Sequence, residues 1–287
     1  MTNRPPRPPR AEPREVVELK QLRTAQPELA SAVDLQLALV EIQRRVQSRV
    51  PLPWIQADEP WLRAQQAAGR PIVRFGDIPI TWSDFRLTFR QTADILRRFE
   101  ALEPADYQAI LQLGRDNGLE ALVAHWYDVS SGVSGESAAT SLPDGAPAGL
   151  DQVLVLALRP FLVRCAEVLM QRATLSSVTT GRCPYCGWEP DFAVITPAAD
   201  RRLVCGRCLA QWQFDGLACP FCGNDDRGRI TSFATRDGRY RVSACDVCRR
   251  YLKAYDGRNA ARPVMVAVDT IATLPLDAAA IQRGYVG

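Results

Sequence analysis

The chain has 287 residues, 47% hydrophobic and 23% charged, with a formal net charge of +3. That length suits one or two domains and the composition is ordinary for a soluble protein, while so small a charge gives no argument for nucleic acid. Arginine supplies nearly all the positive charge, since Lys20 and Lys253 are the only lysines. The most apolar stretch, Val153 to Met170, is interrupted by Arg159, Pro160 and Arg164 and is too polar for a membrane span.

Residues 1–14 are rich in proline and arginine and predict a disordered tail. Met1 to Glu15 holds no apolar h-region, so no signal-peptide pattern is present and the expected compartment is the cytoplasm. Residues 15–176 predict a helical domain. Leu29, Val33, Leu37 and Val40 repeat at helical spacing, Leu35, Leu39, Ile42 and Val46 widen the stripe, and Pro51 and Pro53 end it. Asp58-Glu59-Pro60 opens a short helix that stops at Gly69. Ser83 or Asp84 caps the next, whose face carries Phe85, Phe89, Leu96 and Phe99. Two further helical pieces, Pro104 to Leu113 and Leu119 to Tyr127, are punctuated by Gly114 and Gly118. The Ser/Gly/Ala/Pro-rich stretch near 130–149 cannot bury a core and predicts a mobile loop. Asp151 to Ala173 is the last long helix.

From Ser176 onward the pattern changes. Short runs with β-branched and aromatic residues (Phe192 to Thr196, Arg202 to Cys205, Ile230 to Thr235 and Tyr240 to Ala244) alternate with Cys-x-x-Cys turns. Asp237-Gly238 is a hairpin-turn signal between the last two runs. Pro263 to Leu276 is apolar and predicts packing against a ribbon or the helices. The fold class read from this order is α+β: a mainly helical N-terminal domain, then two consecutive rubredoxin-like or zinc-ribbon modules at 177–216 and 217–287, the second including the C-terminal segment.

Eight of the nine cysteines form four pairs: Cys183 and Cys186, Cys205 and Cys208, Cys219 and Cys222, Cys245 and Cys248. Four thiolates fill one tetrahedral site for zinc or iron, so eight at this spacing predict two mononuclear metal ions. Eighteen residues separate the first two pairs and 22 the last two, which suits a β-hairpin with a ligand turn at each end. Sequential grouping follows, with crossed grouping as the alternative. The opening motif recurs 36 residues on, at Cys219, as an internal repeat. Disulfides would need an oxidising compartment, a thioredoxin-type site needs one pair rather than four, and the spacings do not match ferredoxin iron–sulfur runs. Spacing alone favours zinc over iron.

Other residues offer little chemistry. His125 is the lone histidine and reads as a helix residue, and Cys165 reads as a small buried hydrophobe. No phosphate loop, paired-carboxylate motif or Ser-His-Asp signature is present, so no catalytic residues are assigned and the chain is not read as an enzyme. Ten arginines near the cysteines, among them Arg201, Arg207, Arg227 and Arg250, read as offsetting the negative charge of the thiolate sites.

The cysteine region resembles the FdhE family, accessory proteins of formate dehydrogenase. The resemblance is carried by Gly181 to Gly187 with Pro190, Leu203 to Cys208 with Trp212, Cys219 to Asn224, and Cys245 to Cys248 leading into Tyr251-Leu252-Lys253. Asp269 to Leu276 is also similar, whereas Ala278 to Gly287 departs from the family's ending. The resemblance implies a cytoplasmic maturation factor that binds the catalytic subunit of a respiratory formate dehydrogenase, inserts into no membrane, and holds iron in rubredoxin-type centres. It carries over the eight cysteines one by one and shifts the metal preference from zinc to iron. Two other readings stand beside it: a nucleic-acid-binding zinc-ribbon protein and a rubredoxin-type electron carrier.

Overall fold

The computed structural model describes residues 11–55, 58–132, 142–172, 181–258, 260 and 262–287. Residues 1–10 of the expected 1–14 tail, residues 133–141 of the expected loop near 130–149 and the domain junction at 176 lie outside these residues.

Seven helices come first: α1 (Arg14–Ala25), α2 (Ala30–Gln47), α3 (Glu59–Ala67), α4 (Trp82–Arg98), α5 (Pro104–Arg115), α6 (Leu119–Ser130) and α7 (Leu150–Arg172). Asp58 caps α3, its carboxylate accepting from the Trp61 N–H. The start of α4 differs from the sequence reading: its N-cap is Thr81 in extended backbone, and Ser83 and Asp84 lie inside the first turn. Caps one turn apart in sequence compete closely, and tertiary contacts choose between them. The faces carrying Phe85, Phe89 and Leu96 of α4, Val123 and Trp126 of α6 and Phe161 of α7 are fully buried together. Each such side chain contributes about 1.5–3 kcal/mol by leaving water.

Six strands follow: β1 (Pro190–Ile195), β2 (Arg201–Cys205), β3 (Gln211–Gln213), β4 (Ile230–Ala234), β5 (Tyr240–Cys245) and β6 (Tyr251–Asp256). Four match the expected runs; β3 and β6 are additional. They form one sheet in the order β3-β2-β1-β6-β5-β4. All neighbours are antiparallel except β1 and β6, which run parallel with Phe192 opposite Lys253 and Val194 opposite Tyr255. The two cysteine modules therefore share a continuous sheet. β6 lies near its middle and is buried along its whole length, which is why it lacks the alternation that marks a half-exposed strand.

Side chains alternate across this sheet. Ala193, Leu203, Leu252 and Ala254 face the helical core, while Phe192, Val194, Val204, Val242 and Tyr255 face the other way. That second face is covered by α9 (Leu274–Gln282), which brings Leu276 and Ala280. The preceding helix, α8 (Val266–Ala272), packs Val268 and Ile271 against Leu19 of α1 and Val33 of α2. The apolar C-terminal stretch thus covers both a sheet face and a helix pair. Among the described residues no helix is long and apolar enough to cross a membrane.

Candidate metal centres

The four Cys-x-x-Cys turns are built alike from local hydrogen bonds. The N–H after the second cysteine donates to the first cysteine's carbonyl: Gly187 to Cys183 (2.8 Å), Leu209 to Cys205 (3.2 Å), Gly223 to Cys219 (2.9 Å) and Arg249 to Cys245 (2.9 Å). The first cysteine's own N–H donates onward to the carbonyl of Trp188, Ala210, Asn224 or Arg250. This reversal needs positive φ after the second cysteine: +74° at Gly187 and Gly223, +59° at Leu209 and Arg249. Glycine takes such a φ freely, whereas leucine and arginine bear a steric cost there.

The turns bring Cys183, Cys186, Cys205 and Cys208 into one group and Cys219, Cys222, Cys245 and Cys248 into another, the sequential grouping. Within each group all four Sγ atoms lie within 4.8 Å of one another. The shorter separations are 3.6 Å (Cys183–Cys208), 3.4 Å (Cys186–Cys205), and 3.7 Å for both Cys219–Cys248 and Cys222–Cys245. A tetrahedral metal with about 2.3 Å bonds to sulfur has edges of about 3.8 Å, so both groups fit such an ion. In the first group, the N–H groups of Arg207 and Cys208 point at the Cys205 sulfur at 3.3 and 3.4 Å. A bound metal would draw these sulfurs into one closed coordination shell; four sulfurs alone accommodate either zinc or iron.

The two groups differ in their surroundings. All four cysteines of the first are buried, each at most 2% exposed. Burial pushes the Cys183 and Cys208 thiols well above the ordinary range, so this dry pocket does not favour four thiolates without a cation. In the second group Cys222 is exposed and Cys248 half-buried.

Arg207, between the cysteines of the second turn, is fully buried. Its guanidinium donates to Ser130 Oγ (2.9 Å), Ser131 Oγ (2.7 Å) and the Cys186 carbonyl. It lies against the rings of Tyr127 at 4.3 Å, Trp188 at 4.8 Å and Trp126 at 5.4 Å. Among the described residues no carboxylate pairs with it. Burial works against its charge, but the neighbouring Cys186, Tyr127 and Cys205 outweigh that and raise its pKa. A buried cation without an acid needs a counter-charge, and the adjacent thiolate site supplies one. Arg207 therefore joins the first metal centre to the end of α6.

Four further contacts tie the first group to the helical part. The N–H groups of Ile72 and Val73 donate to the carbonyls of Pro184 and Tyr185 at 3.0 and 2.8 Å. Arg159 of α7 donates to the Gly206 carbonyl at 2.6 Å. Gly187 abuts the end of α6 so closely that a Cβ there would lie 2.9 Å from Ser131 Cα. The reading of 130–149 as loop is corrected at its start: Ser130 ends α6, and Ser130 and Ser131 are each 3% exposed. Polar composition implied solvent, but here the hydroxyls are hydrogen-bond acceptors for a buried cation.

The other arginines do not share that role evenly. Arg241 and Arg258 pair with Asp256, Arg249 with Asp246, Arg239 with Asp237, and Arg250 with Glu189. Arg250 also lies 3.7 Å over the Phe221 ring, linking the third and fourth turns to the end of the first. His125 is exposed on α6 and belongs to neither group. Cys165 is buried in α7 and joins neither.

No protein-family model matches the chain. Curated relatives named Protein FdhE homolog include one from Shewanella baltica (strain OS185), 35% identical over 107 residues, covering 36% of this chain and 35% of the relative. Another, from Aquifex aeolicus (strain VF5), is 30% identical over 109 residues, covering 36% and 38%. The matched part thus spans little more than a third of these relatives' length. The crystal structure of the FdhE protein from Pseudomonas aeruginosa shares the fold, with a TM-score of 0.64 over 95% of this chain and 91% of that one, at 22% identity. The FdhE resemblance and the α+β architecture read from the sequence are both borne out.

Proposed function

We propose that this chain is a maturation factor for formate dehydrogenase, acting in the cytoplasm as a binding protein for the catalytic subunit rather than as an enzyme. The observation that carries the reading is the pair of four-cysteine sites in a chain whose relatives are FdhE homologs. Cys183, Cys186, Cys205 and Cys208 would hold one metal, and Cys219, Cys222, Cys245 and Cys248 the other. Iron is favoured by the resemblance, zinc by spacing alone. The first centre, buried and tied to α6 and α7, suits a structural part. The second faces solvent and suits contact with a partner.

Retention of the formate dehydrogenase catalytic subunit on immobilised protein tests this. Specific retention is expected, and none above background counts against the reading. A second reading, electron exchange at the second centre, is favoured by the exposure of Cys222. It predicts a reversible visible absorption of ferric thiolate, and a colourless zinc-loaded protein from iron-replete anaerobic growth would exclude it. A nucleic-acid role is disfavoured because Arg229, Arg239, Arg241, Arg249 and Arg250 around the ribbons already have internal acidic partners.

A further inference from the structure

Beside the second centre lies a cleft of about 230 Å³. One wall is the sheet face that presents Ile230 and Ser232 of β4, Ser243 and Cys245 of β5, and Leu252 of β6. The other is the arm from Gly216 to Phe221 that leads into the third cysteine turn. β4 is the outermost strand, so the cleft is open on that side. Leu217 on the rim is 46% exposed.

Beside Cys219 and Cys245 of the second group, the cleft carries three arginines. Arg201, Arg227 and Arg250 line it, and no carboxylate does. Arg201 donates to the carbonyls of Asp215 and Ala218 and Arg250 pairs with Glu189, but the exposed Arg227 side chain has no partner among the described residues. An apolar floor beside Arg201 and Arg227, neither of which pairs with a carboxylate among the described residues, selects a ligand that is apolar at its centre and acidic at its edges. The volume is below the roughly 300–1,000 Å³ typical of small-molecule sites and suits one large side chain. A nucleic acid would need a track of free cations for successive phosphates, whereas the neighbouring Arg229, Arg239 and Arg241 face acids.

We propose that this cleft seats an extended segment of a partner protein, one apolar side chain on the floor and flanking carboxylates on the arginines. The inference rests on the maturation reading for the partner's role, though not for its chemistry. The test uses the full-length, metal-loaded protein and fluorescent blocked pentapeptides in an anisotropy titration. One peptide has four glutamates around a phenylalanine; in a second the glutamates are lysines; in a third the phenylalanine is alanine. A thymidine oligonucleotide is the fourth probe.

Binding of the first peptide alone is expected, weakened at least tenfold by Arg227→Glu. Arg227 is exposed and has no partner among the described residues, so this variant is expected to keep its fold and metal content, which unfolding and metal analysis check. Equal binding of the lysine peptide, an unchanged affinity in Arg227→Glu, or binding of the oligonucleotide alone would overturn the proposal. Catalytic-subunit retention by Arg227→Glu at the unaltered level would also overturn it while leaving the maturation reading intact. Loss of retention by the unaltered protein would instead strike that reading.

Discussion

Gly187→Ala and Gly223→Ala form a matched pair: the same turn, the same φ of +74°, and different neighbours. Left-handed backbone costs a non-glycine residue about 1–2 kcal/mol. Around Gly223 a Cβ meets nothing within 4 Å, so that strain is the whole effect. At about 2–4 °C per kcal/mol for a chain of this order, it lowers the melting temperature by roughly 2–8 °C. At Gly187 the Cβ would sit 2.9 Å from both Ser131 Cα and its carbonyl carbon, and nearer still to the oxygen. Ordinary carbon contacts are about 3.5–4.0 Å, so the turn must retreat from α6 by on the order of 1 Å. Overpacking of this kind costs about 1–3 kcal/mol. The retreat also strains the Arg207 bonds to Ser130 and Ser131, each charged bond contributing about 1.5–3 kcal/mol. With the overpacking and the equivalent of one such bond lost, Gly187→Ala is expected to lose roughly 2.5–6 kcal/mol more than Gly223→Ala. Thermal unfolding of both metal-loaded variants, with metal content measured beforehand, decides the matter. Equal losses, or a larger one at Gly223, would refute the proposed weld between the first centre and α6.

Three other outcomes are expected. Arg207→Met leaves the first site's thiolates without their buried counter-cation, and breaking such a pair costs about 3–5 kcal/mol. Metal analysis should show loss from the first site with the second retained, and Arg207→Lys should rescue only in part because one ammonium cannot reproduce the planar fork. Under a chelator with a chromogenic readout, metal should leave in two phases, the faster abolished by Cys222→Ala, because Cys222 is exposed whereas the first four cysteines are buried. Cys165, whose thiol burial pushes up to about 12, should resist iodoacetamide at pH 9 in the native protein and react at once on unfolding, as mass spectrometry of the modified peptide would show.

Much of this protein is written locally in its sequence. Each cysteine turn closes through hydrogen bonds spanning only a few residues, so Cys-x-x-Cys spacing with glycine at 187 and 223 was enough to read it. Leu209 and Arg249 take the same left-handed turn without glycine, so no residue type announced it there. The apolar periodicity of α2 and α4 marked their buried faces because a helix repeats within one turn. The small strand β3 and the wholly buried β6 escaped for opposite reasons, one being three residues long and the other lacking alternation.

What the sequence by itself determined was eight cysteines of metal-ligand spacing in four turns behind a helical domain, with hairpin spacing favouring the sequential grouping. Tertiary structure decided which site is hidden. The parallel pairing of β1 with β6 joins the two modules into one sheet, and Arg207 reaches hydroxyls 76 and 77 residues away. Such contacts depend on chain segments far apart in sequence meeting at one place, and no local pattern encodes that distance. Two sites of identical ligand chemistry thereby come to differ, one sealed against the helices and one open to solvent beside an arginine-rimmed cleft.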